Sequence, residues 1–315
     1  TKSCRKIKKI KSILGEKMIE EILKLKKEKD AIILAHNYQI PEIQDIADFV
    51  GDSLELARKA SQIEAKIIVF CGVKFMAETA KILSPDKKVL LPDLDAGCPL
   101  TDMAKYEDVL KIKEKYPDAW VVSYVNTNAI VKAITDVCCT SANADKVVRN
   151  VPAKKIIFLP DKNLCWYVKQ KVPDKEIICW DGYCFVHRLF KAEDVIKARE
   201  KYPDSEIIVH PECDPEVQKL ADGIYSTSGM LKRAKESKAK IMIIGTEEGL
   251  LHRLKKENPE KEFYSLGSSK ICPNMKKITI EKLYKSLKEE IYEINLKQII
   301  IEKGKKSLER MLEYL

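Results

Sequence analysis

Three cysteines stand apart by their spacing. Cys98, Cys184 and Cys272 lie 86 and 88 residues from one another. Each follows a short apolar run: Lys88-Val89-Leu90-Leu91, Lys175-Glu176-Ile177-Ile178 and Lys261-Glu262-Phe263-Tyr264. Thiolates are metal ligands, and three of them on one axis suit a metal site. Structural zinc prefers four protein ligands, and catalytic zinc normally draws on histidine or carboxylate as well. A 4Fe–4S cluster held by three thiolates keeps one open iron, which can bind substrate oxygen as a Lewis acid. That open position suits catalysis, such as elimination, more than electron transfer.

Other reactive groups keep the same interval. Ser53, Ser141 and Thr227 precede the three cysteines by 45, 43 and 45 residues. Each stands 17 residues after the end of an apolar run, at His36, Tyr124 and His210. A helical pattern follows every hydroxyl, which predicts that each is an N-cap. A hydroxyl beside free helix N–H groups makes an anion site. Three around one cavity would suit a substrate with two or three carboxylate or phosphate groups. The chain has four histidines. His36 and His210 end strands and His187 follows Cys184 by three residues, so these three are expected in an active site. His252, within Leu250-Leu251-His252-Arg253, reads as helix surface or packing.

The elements that must position these groups also repeat. First strands are expected from Ala31, Ala119 and Ser205, second strands from Lys66, Lys155 and Lys240, and third strands from Lys88, Lys175 and Lys261. Helical patterns alternate with them. The expected class is therefore α/β, with three homologous three-layer α/β units and short parallel sheets about a pseudo-threefold axis. The units span 30–116, 117–203 and 204–278. A helix over 5–29 is expected to accompany the first, and a Lys-rich helical extension occupies 279–315. Ligands of such sheets bind beyond the carboxyl ends of the strands, where all the singled-out residues sit.

Composition narrows the function. The 315 residues are 45% hydrophobic and 33% charged, which excludes general disorder. No apolar run approaches the roughly 18 residues of a membrane span, and the first residues lack the apolar stretch of a signal peptide. A cytoplasmic protein with no membrane partner is expected. The net charge of +9 resides in the tails: +7 over 1–29 and +3 over 276–315, against −1 for the body. That distribution argues for solvated helix faces and against nucleic acid. Ten cysteines with no C-x-x-C exclude zinc ribbons, thioredoxin-like motifs and ferredoxin runs. A disulfide framework is not expected in a reducing compartment.

The motifs together resemble the quinolinate synthase family. They include His36-Asn37-Tyr38-Gln39, Gly51-Asp52-Ser53-Leu54, Asp93-Leu94-Asp95-Ala96-Gly97-Cys98, Tyr124-Val125-Asn126-Thr127 and Cys139-Thr140-Ser141-Ala142-Asn143. Downstream stand Leu159-Pro160-Asp161-Lys162-Asn163, Gly182-Tyr183-Cys184, His210-Pro211-Glu212-Cys213, Ser226-Thr227-Ser228-Gly229-Met230, Gly245-Thr246-Glu247 and Cys272-Pro273-Asn274-Met275. The resemblance runs from about residue 30 to 280. One departure is Asn37, where the family often has Tyr. Another is Ser268-Ser269-Lys270-Ile271 before Cys272, where some members carry an extra cysteine; disulfide regulation there is not expected.

The resemblance implies one 4Fe–4S cluster with Cys98, Cys184 and Cys272 as ligands. It implies condensation of iminoaspartate (iminosuccinate) with dihydroxyacetone phosphate to quinolinate, phosphate and water in NAD biosynthesis. It places substrate contacts at His36, Ser53, Tyr124, Val125, Asn126, Ser141, His210, Pro211, Glu212 and Thr227. Glu212 is the first choice for general base, Tyr38 and His210 for proton relays, and His187 for a position near the cluster. Functional coupling to the enzyme that supplies iminoaspartate is expected, in a monomer or homodimer. The alternatives are another three-cysteine (reductive) dehydratase of similar trefoil architecture, an iron–sulfur sensor with basic tails, and a zinc-bound structural protein.

Overall fold

The computed structural model describes residues 2–314, with side chains from residue 15 onward. Among these, twelve strands form three separate four-stranded sheets. The first holds β1 (Ala31–His36), β2 (Phe49–Gly51), β3 (Ile67–Cys71) and β4 (Lys88–Leu90). The second holds β5 (Trp120–Tyr124), β6 (Val137–Cys139), β7 (Lys155–Leu159) and β8 (Glu176–Cys179). The third holds β9 (Glu206–Val209), β10 (Gly223–Ile224), β11 (Ile241–Gly245) and β12 (Glu262–Ser265). Each sheet has the same order, second-first-third-fourth, and every pairing is parallel. The fold class expected from the repeats is the one found. Strands such as Ile67-Ile68-Val69-Phe70-Cys71 are buried throughout, as parallel strands covered on both faces must be.

Equivalent hydrogen bonds tie the three sheets together as copies. Asp48, Asp136 and Asp222 each accept the N–H of a first-strand residue fifteen positions back, Ile33, Val121 and Ile207, at 2.7, 2.8 and 2.8 Å. Each unit contains one more strand than its pattern suggested. β2, β6 and β10 are two or three residues long, too short to register as periodic runs.

The expected N-caps are displaced. Asp52 caps the helix Ser53–Ser61, accepting from Leu54 and Glu55, and Glu55 returns a bond to the Asp52 N–H. Ser226 caps Thr227–Glu236, and Asn143 occupies the cap position of Ala144–Asn150. An aspartate or serine one residue earlier takes the N–H groups at two of the sites. Ser53 and Thr227 thereby begin their helices with hydroxyls released toward the strand ends.

Both tails lie on the body. The helix Lys2–Glu28 packs against Ile280–Glu289 and β1; the side chains of 2–14 lie outside the described residues, as does Leu315. The helix Gln298–Glu313 packs against Lys74–Leu83, Ala129–Lys132 and β6, joining the first two units. Among the described residues no helix is long and apolar enough to cross a membrane. His252 sits on a helix surface, as expected, 3.0 Å from Asp45. Among the described residues the expectation of no disulfide fails at one pair: Cys165 and Cys179 are bonded. The helix Lys162–Lys171 lies against β8, bringing their Cα atoms to 5.8 Å, within bridging distance.

Candidate active site

The carboxyl ends of the three sheets open on one cavity. Each unit contributes a cysteine, a hydroxyl and a strand-end ring. Cys98, Ser53, His36 and Tyr38 come from the first, Cys184, Ser141 and Tyr124 from the second, and Cys272, Thr227 and His210 from the third. Asn126, His187 and Glu212 complete the polar wall, while Phe75, Met76, Val186 and Met275 provide apolar surface. Among the described residues the lining contains no Lys or Arg, so anions there meet hydroxyls and imidazoles.

The cysteines share one local design. Each begins a single helical turn, with the N–H of Asp102, Arg188 or Lys276 returning to its carbonyl at 3.4, 3.1 and 3.2 Å. The N–H three residues on, from Thr101, His187 or Met275, points at the sulfur and favours its thiolate. Burial opposes that and pushes all three thiols up, Cys98 to about 12. A bound cation reverses the balance, because coordination removes the thiol proton. All three are free and partly buried. The trio whose ligand atoms lie within 4.8 Å of one another is Cys184, His187 and Glu212. Among the described residues the three sulfurs form no such close trio, so together they would hold a group larger than one ion.

Histidine tautomers follow from their partners. Nδ1 of His36 accepts the Tyr38 N–H at 3.2 Å, and Nδ1 of His210 accepts the Glu212 N–H at 3.3 Å. Each Nε2 therefore carries the proton, and that of His210 reaches Ser141 Oγ at 3.2 Å. Burial lowers the pKa of both rings to about 3, so they act as neutral donors. His187 Nδ1 lies 2.7 Å from Glu212 Oε2 and 3.2 Å from Cys184 Sγ. Its Nε2 meets Thr246 Oγ1 at 2.8 Å, and the Tyr38 hydroxyl meets the same Oγ1 at 2.5 Å. Tyr38, Thr246, His187 and Glu212 form one continuous path for a proton. Burial works against the Glu212 charge, but the His187 imidazole and the Tyr124 hydroxyl outweigh it and hold the carboxyl below its ordinary range.

A repeated clamp fixes the loop after each first strand. Gln44 donates to the carbonyls of Asn37 and Gln39 at 3.2 and 2.9 Å, and Gln218 to those of Pro211 and Cys213 at 2.8 and 2.7 Å. Lys132 takes the equivalent place in the second unit, donating to Val125 at 2.8 Å and to Thr127. All three stand eight residues past a strand-end ring.

A model of the family described as Quinolinate synthetase A protein matches residues 20–313. The chain is 58% identical over 258 residues to the quinolinate synthase of Thermodesulfovibrio yellowstonii, covering 82% of this chain and 85% of that protein. It is 60% identical over 262 residues to the quinolinate synthase of Caldicellulosiruptor saccharolyticus, with 83% and 86% covered. The chain belongs to the quinolinate synthetase A family. The quinolinate synthase of Clostridium perfringens is 52% identical over 257 residues, with 82% and 85% covered.

Within this quinolinate synthetase A fold, thirteen of the fifteen residues singled out from the sequence line the cavity. Val125 and Pro211 do not. The Val125 side chain turns into the core beside Ala57, Phe70 and Ala80, and Pro211 is buried behind the wall with its carbonyl held by Gln218. Asn37 does not line it either; its Nδ2 donates to Thr227 Oγ1 at 2.9 Å and its Oδ1 accepts from Arg253, so it supports the hydroxyl from behind. Asp52, Thr140 and Glu247 also face the cavity, and Asp161 and Thr246 stand directly behind its cysteine and histidine groups. The signal for Asp161 and Glu247 was available: they stand two residues beyond β7 and β11, the strands expected from Lys155 and Lys240.

Proposed function

We propose that this chain is a quinolinate synthase. It condenses iminoaspartate with dihydroxyacetone phosphate, releasing one phosphate and two waters per quinolinate, with no net oxidation or reduction. The observation that carries the proposal is the convergence of three free thiols, one from each unit, on a cavity walled by hydroxyls, imidazoles and a carboxylate. Cys98, Cys184 and Cys272 are the ligands of one 4Fe–4S cluster. When bound, that cluster supplies a Lewis acid at the iron that no cysteine ligates.

The chain's own residues bind and move protons. The hydroxyls of Ser53, Ser141 and Thr227, with Asn126 and the Nε2–H groups of His36 and His210, hold the carboxylates and phosphate. Glu212 is the general base, close to two imidazoles and the Tyr124 hydroxyl. Protons taken up there leave through His187 and Thr246 to Tyr38, along the hydrogen-bonded path. Phe75, Met76 and Val186 exclude water from the condensing carbons.

The units 30–116, 117–203 and 204–278 are homologous copies, a proposal supported by the matched aspartate and clamp hydrogen bonds. A cytoplasmic location and coupling to a source of iminoaspartate accompany the proposal, because the imine hydrolyses in water. The Cys165–Cys179 bond is unusual for that compartment.

Anaerobic iron and sulfide analysis tests the assignment. About four of each per chain are expected, lost in Cys98→Ser, Cys184→Ser and Cys272→Ser and retained in Cys71→Ser. Zinc without sulfide, or a cluster indifferent to those three substitutions, overturns it.

A further inference from the structure

The three arms that carry the cysteines are built alike but held unequally. Two residues past β3, β7 and β11 stand Val73, Asp161 and Glu247. In each unit the next residue, Lys74, Lys162 or Glu248, donates its N–H to the carbonyl two residues before the cysteine. The distances are 2.8 Å to Ala96, 2.8 Å to Gly182 and 3.0 Å to Lys270, so the three positions are equivalent. Asp161 accepts the N–H of Cys184 on Oδ2 at 3.1 Å, while its Oδ1 caps the following helix through Asn163 and Leu164. Glu247 accepts the N–H of Cys272 on Oε1 at 3.0 Å, while its Oε2 accepts that of Gly249 at 2.7 Å and Lys276 pairs with it. Both carboxylates are buried. Val73 is buried as well and has no oxygen to offer Cys98. The residue before Cys98 is Gly97, with open space around it.

We propose that Asp161 and Glu247 are positioning residues that fix two of the three metal-ligating cysteines from behind, and that Cys98 is the ligand released first when the metal centre comes apart. The inference rests on the three-cysteine cluster proposed above. A ligand whose main chain is tied to a buried carboxylate, itself held by other donors, returns to the metal after each excursion. A ligand without that tie drifts further before it rebinds. Partners behind metal ligands change affinity by about 10- to 100-fold, and this one is missing in one unit of three.

The test uses the reconstituted holoprotein under anaerobic conditions. A ferrous chelator draws out the iron slowly while an alkylating reagent marks each cysteine as it is released, and peptide mass spectrometry times the marking. In the parent protein Cys98 is expected to be marked well ahead of Cys184 and Cys272. Asp161→Ala should bring Cys184 forward by about tenfold and leave Cys272 slow, which general loosening of the fold would not do. Asp161→Asn keeps one acceptor oxygen for two sets of donors and should bring Cys184 forward by less than Asp161→Ala does. Glu247→Ala and Glu247→Gln should act likewise on Cys272 alone. Val73→Asp should delay Cys98. Marking of all three cysteines at one rate in iron-loaded parent protein overturns this proposal alone, as does an Asp161→Ala protein whose Cys184 keeps its parent rate. A parent protein that takes up no iron removes the cluster assignment, and this inference with it.

Discussion

Lys132 offers a test of the loop clamp whose size follows from its surroundings. Its ammonium is fully buried beneath the loop that carries Tyr124 and Asn126, bonded to two carbonyls and 5.5 Å from the Phe75 ring centre. Burial draws its pKa down from 10.5 to about 8. Between those values the unfolded chain binds more protons than the folded one, so stability rises with pH across that window. At 1.36 kcal/mol per unit, the buried charge costs about 3 kcal/mol at pH 7 and under about 1 kcal/mol at pH 10. Lys132→Met removes that cost but strands two carbonyls, at about 1–3 kcal/mol each. The two effects offset one another near pH 7. By pH 10 the parent sheds most of its charge, and its advantage over the variant grows by about 2–3 kcal/mol. Urea unfolding of both proteins at pH 7, 8.5 and 10 measures that change. Lys132→Gln supplies the amide that serves in the other two units, so it should hold the loop and lose the pH dependence. A parent–variant difference that stays level from pH 7 to 10 refutes the reasoning.

Other substitutions probe separate links. Glu212→Gln should lower turnover by about 10²- to 10⁴-fold while iron and sulfide contents stay at parent values; an active variant removes the carboxylate from its assigned role. Gly182→Ala would set a Cβ 2.2 Å from the Pro160 carbonyl oxygen, two residues before Cys184. It should cost about 1–3 kcal/mol and reduce iron content, read by thermal unfolding and metal analysis. Glu290 pairs with Lys29 and Lys88 at 2.6 Å each, and those bonds lower its pKa from 4.5 to about 2. Its stabilisation is complete above the unfolded value and fades as pH falls from about 4.5 to 2. These pairs are solvent-screened, so Glu290→Gln should cost about 0.5–1 kcal/mol at pH 7 and only a small part of that at pH 2.

The interval of 86 to 88 residues made much of this protein legible before its structure. The cysteines and strand-end rings are reactive side chains at places where an apolar run stops, and a change of pattern marks them. The helix caps were misplaced by a residue or two because Asp52, Ser226 and Asn143 are as good caps as the neighbouring hydroxyls. The clamp at Gln44, Lys132 and Gln218 was hidden because its residue type changes in the middle unit while its geometry does not. Asp161 and Glu247 were passed over because a carboxylate at a helix start ordinarily means a cap, and their second partner is a cysteine 23 or 25 residues away. The Cys165–Cys179 contact depends on how a helix lies on an edge strand, which no local pattern states.

The most direct measurement of the central claim is product formation by the reconstituted protein. Iminoaspartate, generated in place, and dihydroxyacetone phosphate are supplied without oxygen, and quinolinate and phosphate are quantified together. Equal amounts of the two products, abolished in Cys98→Ser, are the expected result. A fully iron-loaded protein that makes no quinolinate, or one that releases phosphate without it, would contradict the account.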